Sequence, residues 1–379
     1  MSEIRTILYD PQSFNSSRCV FTIPKGLNIS ASKIRVCDFK ISNKSGNQIY
    51  FNHAGVYSLL SKVSVLSLAG TEIDRLSNME MMSLRLSRME NASQFSINRQ
   101  MSQGMCNSIY VNNLGQASLT EQYGEDDGSL MSIYWDISMM LSYLQRRVVI
   151  DEGMTILLEF ASSDVVGFEY SFVNSPSLAV DEFLTAVPTD SLDVVSYTSI
   201  IQDKLFIGQG EYGFEKRLNS FYNQFLGNVY FMNILNRFDN PLINAVDKRG
   251  QSLVISIDGK QIIPLKGIDQ PAKKLGFLND FTSPFSLPAY DSAIKLVSGF
   301  EGFHNVNNGM DYGNNFSYGA FLLNRYIGND FTISYNFDSS DVVLSAQGET
   351  LLILAEVMRS YDRVNDKVSF VGSSMVPAN

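Results

Sequence analysis

The sequence predicts an all-β protein built in two halves, and three observations carry that prediction. The chain holds 25 Phe, 18 Tyr and 26 Gly in 379 residues, a balance that favours strands and turns over helical bundles. Short apolar runs recur along it, each closed by its own Gly, Pro, Asn or Asp cluster, as in a sandwich or barrel. Between two β-rich stretches, Thr185-Ala-Val-Pro188-Thr-Asp190 supplies a proline and small polar residues, and a chain of this length suits two domains. The expected units are residues 1–187, a β-sandwich with short helices, and residues 188–379, a second β-rich unit.

In order, Ile4 to Tyr9 reads as a strand stopped by Asp10-Pro11, and Arg18 to Ile23 as a second ended by Pro24-Lys25-Gly26. Lys33 to Ile41 alternates with one slip before Phe39, and Ile49 to Phe51 follows a break at Asn43 to Asn47. Val63 to Leu68 is a strand turned by Ala69-Gly70. Met79, Met82, Leu86 and Met89 have helical spacing, which fits a helix over an open end of the sandwich. Ile137, Met140, Leu141 and Leu144 fall at i, i+3, i+4 and i+7 within Asp136 to Arg147, so a short helix with one apolar face is expected, Asp136 at its start. Met154 to Phe160 is a nearly continuous apolar run, the pattern of a strand buried on both faces. Phe168 to Phe172 and Pro176 to Phe183 close the first half.

In the second half, Val194 to Ile207 gives one or two strands. Phe214, Leu218, Phe221, Tyr222 and Phe225 have the spacing of a helix face. Strand resumes from Val229 to Phe238. Leu253, Ile255 and Ile257 alternate, and Asp258-Gly259 before Gln261 to Leu265 is a two-residue hairpin signal, because both positions tolerate positive φ. Ser298 to Gly319 reads as an irregular loop with the aromatics Phe303, Tyr312, Phe316 and Tyr318. Phe321 to Arg325, Phe331 to Phe337 and Thr350 to Met358 are strands, and Val368 to Val371 adds another.

Composition narrows the function. A net charge of −10 without a run of Lys and Arg argues against nucleic-acid contact as a main role, which needs a basic face. No run approaches the ~20 apolar residues of a membrane span, and the first residues lack an apolar signal core, so a soluble chain made in the cytoplasm is expected. Cys19, Cys37 and Cys106 have no metal or redox spacing and read as free thiols. Glu121, Glu125, Asp126 and Asp127 cluster without the spacing of a calcium loop. Gly208-Gln-Gly210-Glu-Tyr-Gly213 fits the dinucleotide spacing, with Asp239 further on, but the β-hairpin pattern downstream favours a plain turn. His53 and His304, the two histidines, supply no positioned base. Asp151-Glu152 and Asp181-Glu182 are paired carboxylates, the latter expected at a strand end facing solvent or a neighbouring subunit. No catalytic, cofactor-binding or metal residue is assigned.

Ser132 to Arg147, Met154 to Phe160, and Pro176-Ser-Leu-Ala-Val-Asp-Glu182 together resemble the late part of a jelly roll in capsid proteins of virophages and polinton-like viruses. The second half ends comparably, in Glu349-Thr-Leu-Leu-Ile-Leu-Ala-Glu-Val-Met358. The length, and the absence of the very long tower loops of a major capsid protein, look more like the vertex (penton) proteins of Sputnik-type virophages. That resemblance implies an N-terminal jelly roll with an additional β domain and no enzymatic activity. It further implies homo-pentamers at the fivefold vertices of an icosahedral capsid, in contact with the major capsid (hexon) protein in the virion. The strand-rich second half also fits a double-jelly-roll hexon protein, and the loop aromatics fit a carbohydrate-binding sandwich.

Overall fold

The computed structural model describes residues 3–44, 59–77, 109–111, 117–119, 130–145, 149–166, 169–185, 192–208, 210–211, 213–235, 250–266, 318–328, 330–337 and 349–370. Its first half contains β1 (Ile4–Tyr9), β2 (Ser13–Phe14), β3 (Arg18–Ile23), β4 (Ile29–Asn43), β5 (Leu60–Ser67) and β6 (Glu72–Leu76). Then come a small hairpin, β7 (Ile109–Val111) and β8 (Ala117–Leu119), and the strand β9 (Leu130–Asp136). The half closes with α1 (Ile137–Met140), a 3-10 turn at Ser142–Gln145, β10 (Val149–Ile150), β11 (Met154–Phe160), α2 (Ser163–Val166), β12 (Tyr170–Phe172) and β13 (Ser177–Phe183). The second half contains β14 (Val194–Ile207), β15 (Gly213–Arg217), β16 (Gln224–Leu235), β17 (Gly250–Ile257), β18 (Lys260–Lys266), β19 (Tyr318–Ile327), β20 (Phe331–Phe337), β21 (Glu349–Asp362) and β22 (Lys367–Phe370).

These strands form two pairs of antiparallel sheets with one shared plan. In the first pair, β1-β13-β4 continues through β9 and β10, which both pair with β4, and the facing sheet runs β2-β3-β11-β5-β6. In the second pair the orders are β14-β21-β16-β19 and β15-β20-β17-β18. Lettering the eight principal strands of each half B to I gives B-I-D-G facing C-H-E-F twice, the jelly roll of two Greek keys. The first strand therefore pairs with the last: Ile4 opposes Phe183, and Val194 opposes Asp362.

Aromatic side chains join the two sheets of the first pair. Trp135 of β9 lies 4.7 Å from Phe39 of β4 and 6.2 Å from Phe160 of the facing β11, by ring centroids. Phe160 continues to Phe172 at 4.4 Å, and Phe172 to Phe14 of β2 at 5.5 Å. Full burial of Trp135 and Phe39 places them among the side chains whose apolar area contributes most to folding. In the second pair, Leu226, Val229, Ile327 and Ile353 of one sheet and Ile257, Phe331 and Ile333 of the other are buried.

Several local expectations hold. The slip in β4 is a bulge: the register with β9 shifts between Val36 and Phe39, and Asp38 takes φ 60° there, a conformation Asp tolerates better than most residues. The Asp258-Gly259 turn joins β17 to β18 with φ of 50° and 71°. Val194 to Ile207 is one strand, paired with β21 along its whole length.

Four expectations are corrected. Gly213 to Phe225 is not a helix: Gly213–Arg217 pairs with β20, Asn219–Phe221 is a 3-10 turn, and Gln224 opens β16. Leu218, Phe221 and Phe225 are buried, so the residues were rightly apolar. Their helical spacing arose from core positions on three separate pieces. Asp136 to Arg147 does bury Ile137, Met140, Leu141 and Leu144, but as a single α turn and a 3-10 turn, and Asp136 accepts a 2.6 Å bond from the Ser138 hydroxyl. β11 alternates between buried and half-buried residues, because its sheet covers the core on one face; Leu157 lies on the other. Asp181 and Glu182 lie near the end of β13, but ion pairs with Arg35 and Arg5 hold them rather than leaving them to face solvent. The predicted Met79 helix, Ile49 to Phe51, the acidic cluster Glu121 to Asp127, and His53 and His304 lie outside the described residues.

Candidate functional site at the joint of the two sheet pairs

The most densely built polar site among the described residues lies where the halves meet. β14 packs against β6 and the Ser142–Gln145 turn. The contact is apolar at base: Ile73 and Leu76 of β6 share one buried cluster with Val195, Tyr197, Ile200, Leu354 and Tyr361 of the second half. β6 is the outer strand of its sheet, and β14 covers it.

Within this apolar contact sits a carboxylate. Asp74 is 2% exposed. One of its oxygens accepts from the Ser199 hydroxyl at 2.8 Å and from the Arg75 amide at 2.9 Å, while the other accepts from the Tyr143 amide at 3.2 Å. A buried carboxylate is tolerated only when such donors replace its lost water. The Tyr197 hydroxyl donates to the Ile73 carbonyl across the joint. Burial first, and then the neighbouring Asp74, raise that hydroxyl well above the ordinary tyrosine range, against an opposing effect of Arg359. Tyr143 stands edge-on to both Tyr197 and Tyr361, with ring centroids 5.7 and 5.8 Å away.

At the rim, the turn from β5 to β6 meets the turn from β21 to β22. Thr71 donates to an Asp366 carboxylate oxygen at 2.7 Å, and Tyr361 donates to the other oxygen at 2.8 Å. Burial would raise the Asp366 carboxyl, but hydrogen bonds from Thr71, Ser67 and Tyr361 outweigh it and hold it below the usual aspartate range. Glu152, from the turn before β11, accepts from the Tyr143 hydroxyl and forms an ion pair with Arg363 at 2.5 Å. The Arg363 amide donates to the Asp193 carbonyl at 2.8 Å, which closes the rim.

Of the paired carboxylates considered from sequence, Glu152, Asp181 and Glu182 have structural partners. Asp181 is held by Arg35 at 2.9 Å and Thr6 at 2.7 Å, and Glu182, 8% exposed, by Arg5 at 2.6 Å. The two point along a strand flanked by β1 and β4, which fixes sheet pairing and presents no shared cleft. Gly210 does take φ 81°, and Glu211 accepts from the Gly208 amide at 3.0 Å. A strand follows at Gly213 rather than the helix that a pyrophosphate site requires; Asp239 lies outside the described residues. Cys19 is a free thiol in the core, pushed up to about 12 by burial, and Cys37 a half-buried one pushed up to about 11 by burial and by Asp38. Cys106 lies outside the described residues, as do Phe303, Tyr312 and Phe316, while Tyr318 opens β19. Among the described residues no group of three or more metal-ligating side chains converges, and no helix is long and apolar enough to cross a membrane.

Reasoning from sequence missed Asp74, Tyr143, Tyr197, Ser199 and Asp366. Alternating Val195, Tyr197 and Ser199 was the available signal, since period two puts these residues on one face of β14. Nothing in Glu72-Ile-Asp-Arg-Leu76 distinguishes a buried aspartate from a solvated one.

At the outer edge of the first sheet, β1 exposes Ile4 (53%) and Leu8 (57%). Uncovered edge strands with apolar side chains invite pairing with another chain.

No family model matches the chain, and no curated protein matches it in sequence. Solved structures do match. A chain of the Sputnik virophage, in its 3.5 Å cryo-EM structure, aligns with a TM-score of 0.59 at 10% identity, covering 97% of this chain and 88% of that one. A chain of the PBCV-1 virus capsid aligns at 0.54 and 11% identity, covering 100% and 98%. The mavirus major capsid protein aligns at 0.52 and 9% identity, covering 99% and 92%. At these identities the likeness is one of fold: across both sheet pairs, the chain has the jelly-roll fold of viral capsid proteins.

Proposed function

We propose that the protein is a structural subunit of an icosahedral virus shell, of the double-jelly-roll (hexon) type, acting in the virion as a homo-oligomer and not as an enzyme. The observation that carries this reading is the repeated strand plan: β1 to β13 and β14 to β21 each supply B-I-D-G facing C-H-E-F. The near-complete overlap with the mavirus major capsid protein, 99% of this chain and 92% of that one, supports it. A shell subunit needs rigid layered walls and self-association, and heterologous contacts close into a ring when their rotation divides the circle. The residues at the joint are structural in this reading, and the hydroxyl-carboxylate bonds there hold walls together.

The vertex reading remains the second candidate, because a ring of five could also be built from a chain with one shell-forming roll and one additional domain. A complete second roll favours the hexon type over it. Native mass spectrometry of the purified protein separates the two. Trimers are expected; pentamers would restore the vertex assignment, and a monomer under all assembly conditions would overturn both.

A further inference from the structure

We propose that the buried polar bonds of the joint, centred on Asp74, are a registration key that fixes one orientation of the second jelly roll on the first. The surfaces that meet carry Ile73 and Leu76 of β6 on one side and, from one face of β14, Val195 and Tyr197 on the other. Apolar contact is non-directional, and residues on a strand face repeat every second position. Two such faces can therefore slide by a repeat, or rotate a little, and lose little apolar burial.

Hydrogen bonds remove that freedom because each has one geometry. Across the joint Ser199 reaches Asp74 and Tyr197 reaches the Ile73 carbonyl, while the Tyr143 amide, from the same half as Asp74, holds its second oxygen in place. A slide by one repeat would cost the buried Asp74 its Ser199 hydroxyl and carry the Tyr197 hydroxyl away from the Ile73 carbonyl, each a hydrogen bond lost in an apolar setting. Thr71 with Asp366 and Glu152 with Arg363 repeat the constraint at the rim, from different loops. Three separated directional ties between two bodies suffice to fix their relative rotation as well as their translation. Buried polar groups of this kind often contribute little net stability, and register is their best-attested use.

The consequence for assembly rests on the shell role proposed above, whereas the registration itself does not. A ring closes only if every subunit presents its two flanks at the same angle. Asp74 would then decide whether subunits that fold also assemble.

The test uses the full chain with nitroxide labels introduced by D164C and K260C, one in each half, after replacement of the native cysteines by serine. Electron-electron dipolar spectroscopy reads the distance between halves. The parent protein should give one narrow peak. D74L combined with S199A keeps the joint apolar and leaves no buried charge; it should retain cooperative unfolding while its distance distribution splits or broadens. A single narrow peak at the parent distance in that variant would overturn the proposal. Should the double variant not fold, S199A and T71V singly remove ties without burying a new group. Broadening in either supports the key, and parent-like peaks in both would sink it. A broadened variant that still forms parent-like oligomers would keep the key and refute its role in assembly. A narrow parent that forms no oligomer would count against the shell role alone.

Discussion

Asp74 shows what a buried carboxyl group requires, namely donors that replace the water it has lost. Replacing it with alanine strands the Ser199 hydroxyl and the Tyr143 amide. A cost of about 1–3 kcal/mol is expected for each donor left dry, read as a fall in the urea midpoint. Asp366 makes a different prediction. Its carboxyl is held below the usual range by Thr71, Ser67 and Tyr361 despite burial, so the folded chain keeps this charge where the unfolded chain, near ~3.9, begins to bind a proton. Its contribution is therefore present above that value and lost as pH falls through the depressed one. Melting temperature should drop below about pH 4 partly through Asp366, and D366N should flatten that acid limb. Neither role was legible in the sequence, because Ser199 and Thr71, which tie these carboxylates across the joint, lie 125 and 295 residues from them, and residue type alone does not report burial.

Whole elements were easier to read, since the rules that form them are local. Asp258-Gly259 declares its turn through backbone conformations that few other residues adopt, and the interruption of β4 announced its bulge. Misreadings came from pattern without context. Phe214 to Phe225 offered a helical period that three distinct pieces produced together, and the apolar run of β11 concealed a one-sided strand. Gly153, just before β11, is a position where an element's start depends on one missing atom. A Cβ there would lie 2.8 Å from both the Ile23 carbonyl oxygen and the Lys25 amide nitrogen, backbone atoms that cannot step aside. Gly153→Ala should therefore destabilise by about 1–3 kcal/mol as overpacking, with hydrogen exchange rising first in β3 and β11 rather than in the second half.

For the molecule as a whole, the class was legible and the wiring was not. Strand content, aromatics and the break near Pro188 indicate two β halves, but pairing β1 with β13 or β14 with β21 links residues at opposite ends of each half, which no local pattern encodes. The dependence of one half on the other was also hidden. Ile73 and Leu76 share one buried cluster with Val195, Tyr197 and Ile200 of the second half, and Asp74 accepts from Ser199 there. Residues 1–187 expressed alone should accordingly aggregate or unfold below the temperature of the full chain, and adding residues 188–379 in trans should raise that temperature; light scattering and calorimetry would show it. The adjacency of first and last strands in each unit has a consequence for ancestry. Since the chain enters and leaves a roll at neighbouring points, Ile4 beside Phe183 and Val194 beside Asp362, a gene for one roll can be doubled in tandem with only a brief spacer. The daughter copy then folds beside its parent without any strand being rethreaded, and the two are free to diverge.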